Sequence, residues 1–175
     1  DTPGHTMSHL CLFAHAEHSS ADQKRYALAN QVDYLLLRAE QEQVIRESAL
    51  DGITDGGLEM DFYIFTRLFQ RKGYLDPADF ALCERLYHLL RKTLPAPDLI
   101  IYLDAPLELI SQRFAQRGRP LEIARLDDLE LIQGLLQEWQ RAWKASPVLM
   151  VDASVDDPGF LHTSQQICKV ILTMF

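Results

Sequence analysis

Two stretches, LIIYL at 99–103 and VLMV at 148–151, are nearly unbroken apolar runs in a chain otherwise patterned for amphipathic helices. Both are too short for buried helices. Apolarity without period-two alternation is what strands covered on both faces of a parallel sheet require. Each run is followed by a helix signal. Pro106 opens a segment with Leu109, Ile110 and Phe114 at helical spacing, and 160–175 carries Leu161, Ile167, Val170 and Ile171. Strands alternating with helices specify an α/β domain. A third strand is expected at 50–55, ending on Asp55.

Residues 21–48 contain no Gly or Pro and place Tyr26, Ala29, Val32, Leu36, Ala39 and Val44 near one stripe. This predicts a long amphipathic helix, with Ser19, Ser20 or Asp22 as its cap. A short helix is expected from Glu59 to Arg71, burying Met60, Ile64, Phe65, Leu68 and Phe69 and stopping at Gly73. Asp76 before Pro77 supplies an N-cap and a first-turn proline. The helix that follows repeats Phe80, Cys83, Leu86, Tyr87 and Leu90 and ends near Leu94. Asp127 or Asp128 begins another, with Ile132, Leu135, Leu136, Trp139 and Trp143. No repeat and no Gly/Ser-rich linker divides the chain, so residues 1–175 read as one domain, with 1–20 unassigned.

Seventeen Lys and Arg against 25 Asp and Glu give a net charge of −8, which repels a phosphate polymer and disfavours a nucleic-acid partner. With 47% hydrophobic and 24% charged residues, collagen-like and disordered classes are excluded. Cys11, Cys83 and Cys168 are odd in number and widely spaced, which suggests neither a disulfide framework nor a zinc site. A reducing, cytoplasmic compartment follows as the expectation. No apolar run is long enough to span a bilayer, and no signal-peptide order opens the chain, so no membrane partner is expected. His5, His9, His15 and His18 lack the spacing of an HExxH or finger site.

The basic residues that do cluster stand in RFAQRGRPLE, 113–122, a local reversal of sign in an acidic chain. Arg113 and Arg117 share a helix face, and Gly118 lets the chain turn so that Arg119 joins them. Three guanidinium groups suit a polyphosphate, because each donates paired hydrogen bonds to phosphoryl oxygens. The same spacing also fits a solvated helix end whose arginines complement the helix dipole or pair with Glu108 and Glu122. Asp55, before Gly56 and Gly57, is either a carboxylate at the carboxyl edge of the sheet, where ligands bind, or ordinary turn chemistry. Asp61 is either part of that site or a first-turn acid. Gln31 and Arg38, two helical turns apart and with Tyr34 nearby, offer an amide and a guanidinium to a nucleobase edge; the alternative is an ordinary surface pair.

Together these segments resemble the deoxynucleoside kinase family of P-loop enzymes over about residues 26–160. YALANQVDYLLLRAEQ, 26–41, is similar to the family helix whose glutamine binds the base and whose arginine follows seven residues later, here Gln31 and Arg38. DGGLEMDFYIF, 55–65, resembles the strand-end acid and the downstream Asp that assists base recognition, here Asp55 and Asp61. PDLIIYLDAPLELISQRFAQRGRPLE, 97–122, resembles the family's strand, helix and RxxxRxR lid. That implies phosphate contacts from Arg113, Arg117 and Arg119, a sugar contact from Glu122 and a lid over about 113–128.

The resemblance implies a three-layer αβα fold with a parallel sheet of order 2-3-1-4-5, a deoxynucleoside substrate, ATP with Mg2+, and a homodimer. It also implies transfer of the ATP γ-phosphate to the 5′-hydroxyl, with Asp55 as base. The chain departs from the pattern in four places: no GxxxxGK[ST] occurs, Gly56-Gly57 replaces Arg-Ser, Glu17 matches the other carboxylate poorly, and the sugar-contacting tyrosine expected before the long helix has no clear counterpart. The expectation is that a first strand and P-loop precede Asp1 in the intact protein. The alternatives are a degenerate kinase-like domain that binds a nucleotide or a protein without transfer, and a nucleoside monophosphate kinase.

Overall fold

The structure, a computed structural model, describes residues 20–118, 124–155 and 157–174. They form two units. The first runs through Pro95 and includes Gly134–Gln140; the second comprises Ala96–Gln133 and the residues from Arg141 onward.

In the first unit, α1 spans Ser20–Glu47. The capping residues expected for it lie outside the described side chains. Its buried face is Ala27, Gln31, Leu35, Ala39 and Glu42, a stripe of three- and four-residue steps. This corrects the stripe expected from apolar spacing, since Val44 and Leu36 face solvent at 68% and 42% exposure. The true stripe contains two polar residues with partners inside the fold, which hydrophobic periodicity does not register.

Residues 50–55 also correct the sequence reading. They form an exposed, irregular segment and not a strand, with Leu50 and Ile53 at 79% and 83% exposure. Among the described residues no strand pairs with this segment, and an unpaired strand loses the ladder bonds that define it.

The expected short helix is present in two registers, a π-helix at Met60–Thr66 that continues into α2 at Arg67–Arg71. The wide turn changes the buried set to Asp61, Phe62, Ile64, Thr66, Leu68 and Phe69. Helix α3, Pro77–Thr93, starts as expected: the Asp76 side chain accepts from the backbone of Ala78 and Asp79, and Asp79 answers in a capping box. It buries Cys83 and Tyr87, and Phe62 stacks on Tyr87 with ring centroids 4.4 Å apart. Helix α5 spans Leu129–Ala142. Its Gly134–Gln140 stretch brings buried Leu135 and Trp139 to the first unit, and Glu138 pairs there with Arg67 at 2.8 Å.

In the second unit, β1 (Ile100–Asp104) and β2 (Val148–Asp152) pair in parallel, with Ile100 opposite Val148 and Asp104 opposite Asp152. The two apolar runs are strands of a parallel sheet, as their composition requires. Their coverage is less complete than expected. Val151 is fully buried, while Leu103 and Met150 stay exposed, because the described sheet has only these two strands. Helix α4, Leu107–Arg117, follows β1 after Pro106 and ends at Gly118; α6, Leu161–Met174, follows β2. The fold is mixed, with helices and a parallel sheet. No helix among the described residues is long and apolar enough to cross a membrane.

Candidate functional site

The π-helix places Asp61 and Thr66 against the middle of α1, where Gln31 and Arg38 lie. Arg38 Nε donates to Asp61 Oδ2 at 2.8 Å, and Arg38 Nη1 donates to Gln41 at 3.0 Å. Thr66 Oγ1 lies 2.9 Å from Gln31 Oε1 and 2.8 Å from the Asp61 carbonyl oxygen. Gln31, Asp61 and Thr66 are all buried. The structure therefore joins three of the sequence-derived candidates, Asp61 directly to Arg38 and to Gln31 through Thr66. Gln31 and Arg38 are not the ordinary surface pair that spacing alone left open.

Burial pushes the Asp61 carboxyl above its ordinary value, against the opposing effect of the Arg38 hydrogen bond and charge. The Tyr34 hydroxyl is raised as well, first by burial and then by the charge of Asp61. Thr66 carries no motif in the sequence. The signal that could have found it is its position five residues after Asp61, which is meaningful only once the turn is known to be a π-turn.

Asp55 is exposed and precedes two glycines that the backbone requires, with φ of 81° at Gly56 and 128° at Gly57. A Cβ at Gly56 would stand 3.3 Å from Arg38 Nη2, and one at Gly57 would stand 3.7 Å from Glu42 Oε1. The glycine pair thus lets the backbone pass between two ionic groups. An Arg-Ser pair, as the family pattern has it, would be strained in this conformation and would press on Arg38.

The second ionic group was not anticipated from the sequence. Arg91 Nη1 and Nη2 donate to both oxygens of Glu42 at 2.7 and 2.8 Å, and Nη2 also reaches Glu59 Oε2 at 2.6 Å. Tyr87 donates to Glu59 Oε1 at 3.4 Å. Burial raises the Glu59 carboxyl, only partly offset by Arg91. Burial works against the charge on Arg91, but its two carboxylates outweigh it and hold the guanidinium charged. Scattered over α1, the π-helix approach and α3, these residues have no shared spacing that could flag them.

In the second unit, Arg113 and Arg117 stand one turn apart on α4, as their spacing requires. Arg113 Nη1 donates to the Ala153 carbonyl at 2.6 Å, just past the end of β2, and the Arg117 guanidinium lies over the Phe114 ring at 5.5 Å. Arg119 and Glu122, like the four amino-terminal histidines and Cys11, lie outside the described residues. Cys83 is buried and Cys168 exposed, both as free thiols. Among the described residues no three His, Cys, Asp or Glu side chains group to hold a metal.

A family model described as deoxynucleoside kinase matches residues 15–174. Over 153 residues the chain is 26% identical to the deoxyadenosine/deoxycytidine kinase of Bacillus subtilis strain 168, covering 86% of this chain and 70% of that protein. It is 31% identical over 104 residues to the deoxyguanosine kinase of the same organism, covering 55% of this chain and 49% of the relative. A deoxyadenosine kinase of Dictyostelium discoideum is 32% identical over 114 residues, covering 65% and 45%. The chain thus spans about half the length of two of these relatives. Among solved structures, a deoxyadenosine kinase from M. mycoides with bound dCTP matches at a TM-score of 0.70 and 19% identity, over 100% of this chain and 85% of that one. That likeness establishes the fold. The reading as a binding domain without transfer gains no support from relatives that are each named a kinase.

Proposed function

Because the chain belongs to the deoxynucleoside kinase family, we propose that residues 1–175 act as one kinase domain that phosphorylates the 5′-hydroxyl of a deoxynucleoside from ATP, in nucleotide salvage. The observation that carries this reading is the buried cluster of Gln31, Thr66, Asp61 and Arg38. Amide, carboxyl and guanidinium groups held by one another in a desolvated place are what hydrogen-bonded recognition of a base edge needs.

In this reading Gln31, Arg38 and Asp61 bind the base, Glu122 contacts the sugar, and the exposed carboxylate of Asp55 takes the proton of the 5′-hydroxyl as it attacks. Arg113, Arg117 and Arg119 bind the donor phosphates and stabilise charge on the transferred group. The described residues do not form a cation cage of their own. Magnesium is bound in such sites mostly by water and substrate phosphates, so it belongs to the donor nucleotide in this proposal. A cytoplasmic location and a homodimer complete it.

The test is phosphate transfer by the full-length protein, offered each deoxynucleoside and each deoxynucleoside monophosphate with ATP. Transfer to the nucleosides alone is the expected result. Transfer to the monophosphates alone would make it a nucleoside monophosphate kinase, and no transfer to either would end the proposal.

A further inference from the structure

The Thr66 hydroxyl stands between two acceptors, Gln31 Oε1 at 2.9 Å and the Asp61 carbonyl oxygen at 2.8 Å. A hydroxyl has one proton to give. The Asp61 carbonyl can only accept, so it takes that proton, in the side-chain-to-backbone bond that a threonine makes within its own helix. The contact to Gln31 is then satisfied when an amide N–H points at Thr66 Oγ1. The oxygen and nitrogen of an amide occupy the same outline, and which stands where is set by their hydrogen bonds. With Thr66 at 0% and Gln31 at 1% exposure, solvent gives little help to a mismatched orientation.

We propose that Thr66 locks the Gln31 amide in one orientation and thereby determines whether the site prefers an amino-bearing or a keto-bearing base. This rests on the reading that Gln31 faces the base. The free edge of a locked amide presents one acceptor and one donor in a fixed order. Adenine and cytosine offer an amino donor beside a ring-nitrogen acceptor; hypoxanthine and uracil offer a carbonyl acceptor beside an N–H donor, which is the reverse order. An amide free to turn over serves both, whereas a locked one serves one. Arg38 and Asp61 are already paired at 2.8 Å, so they present a constant background to either class of base.

The experiment is equilibrium binding to the full-length protein of two pairs that differ only in amino against keto: deoxyadenosine with deoxyinosine, and deoxycytidine with deoxyuridine. Wild type is expected to separate at least one pair by roughly tenfold or more. Thr66→Val keeps the side-chain shape without the hydroxyl and brings that ratio towards one; Thr66→Ser restores it. A merely structural role for Thr66 weakens both members alike and leaves the ratio where it was, which would overturn the lock. So would a wild-type protein that binds the members of both pairs equally. If Thr66→Val does not fold, Thr66→Ala is read by the same ratio. Gln31→Ala separates the two levels of the argument. If it alters neither affinity, the base-side reading itself fails; if it changes the ratio while Thr66→Val does not, only the lock fails.

Discussion

The Gln31–Asp61 cluster of the first unit and Arg117 at the end of α4 in the second hold their polar groups in opposite ways, although Arg113, one turn before Arg117, is tied to the Ala153 carbonyl. In the first, Gln31, Asp61 and Thr66 are buried and have partners from other elements, so the fold itself fixes where each donor and acceptor stands. In the second, Arg117 sits exposed in the last turn of α4 against its own neighbour Phe114. A buried polar group must be matched in the protein before any ligand arrives, because leaving it unmatched costs about 1–3 kcal/mol. An exposed guanidinium carries no such requirement, because water satisfies it. Under the proposed function, the first region would serve discrimination and the second charge.

The sharpest way to break this contrast is Asp55→Asn, which removes the proposed base without touching either cluster. It should lower turnover by about 10²–10⁴-fold while nucleoside affinity stays within a factor of about two, measured as kcat against binding. Equal losses in both would place Asp55 in binding and not in chemistry.

Arg91→Met tests the claim that burial makes matching obligatory. It leaves Glu42 and Glu59 without their cation, and unfolding should become easier by about 3–5 kcal/mol in a denaturant titration. Arg117→Ala is the counterpart at the exposed end. It should reduce transfer by about 10²-fold with the thermal midpoint unchanged, and an unaltered rate would remove the phosphate assignment.

The smallest effect is a pH dependence at Asp61. Its carboxyl is raised above the ordinary value of 3.8, chiefly by burial, so the folded state binds its proton more tightly than the unfolded state. The stability this contributes is complete below the ordinary value and is lost as pH rises through the raised one. Asp61→Asn does not titrate, so its thermal midpoint should gain on that of wild type between acid and neutral pH. A constant difference across that range would contradict the burial of the charge.

Much of the architecture was legible in the chain because helices and covered strands are written in local periods. Asp76 and Pro77 announced α3, Pro106 announced α4, and the runs LIIYL and VLMV marked both strands of the described sheet. The buried stripe of α1 was misread because Gln31 and Glu42 are polar, and 50–55 was misread because strand propensity without a neighbour does not make a strand. The seven-residue step from Gln31 to Arg38 placed both on one face, but only the π-turn that brings Thr66 and Asp61 against them shows how they are held.

The sequence by itself determined where α3 and α4 start, which two apolar runs are strands, and which segment carries concentrated positive charge, since each depends on residues within a turn or two of one another. The tertiary structure alone decided that Glu42, Glu59 and Arg91 form one ionic group, and that Thr66 reaches Gln31 across 35 positions. The physical reason is that hydrogen bonds and ion pairs act over a few ångströms of space. Chain separation says nothing about that distance until the elements have packed.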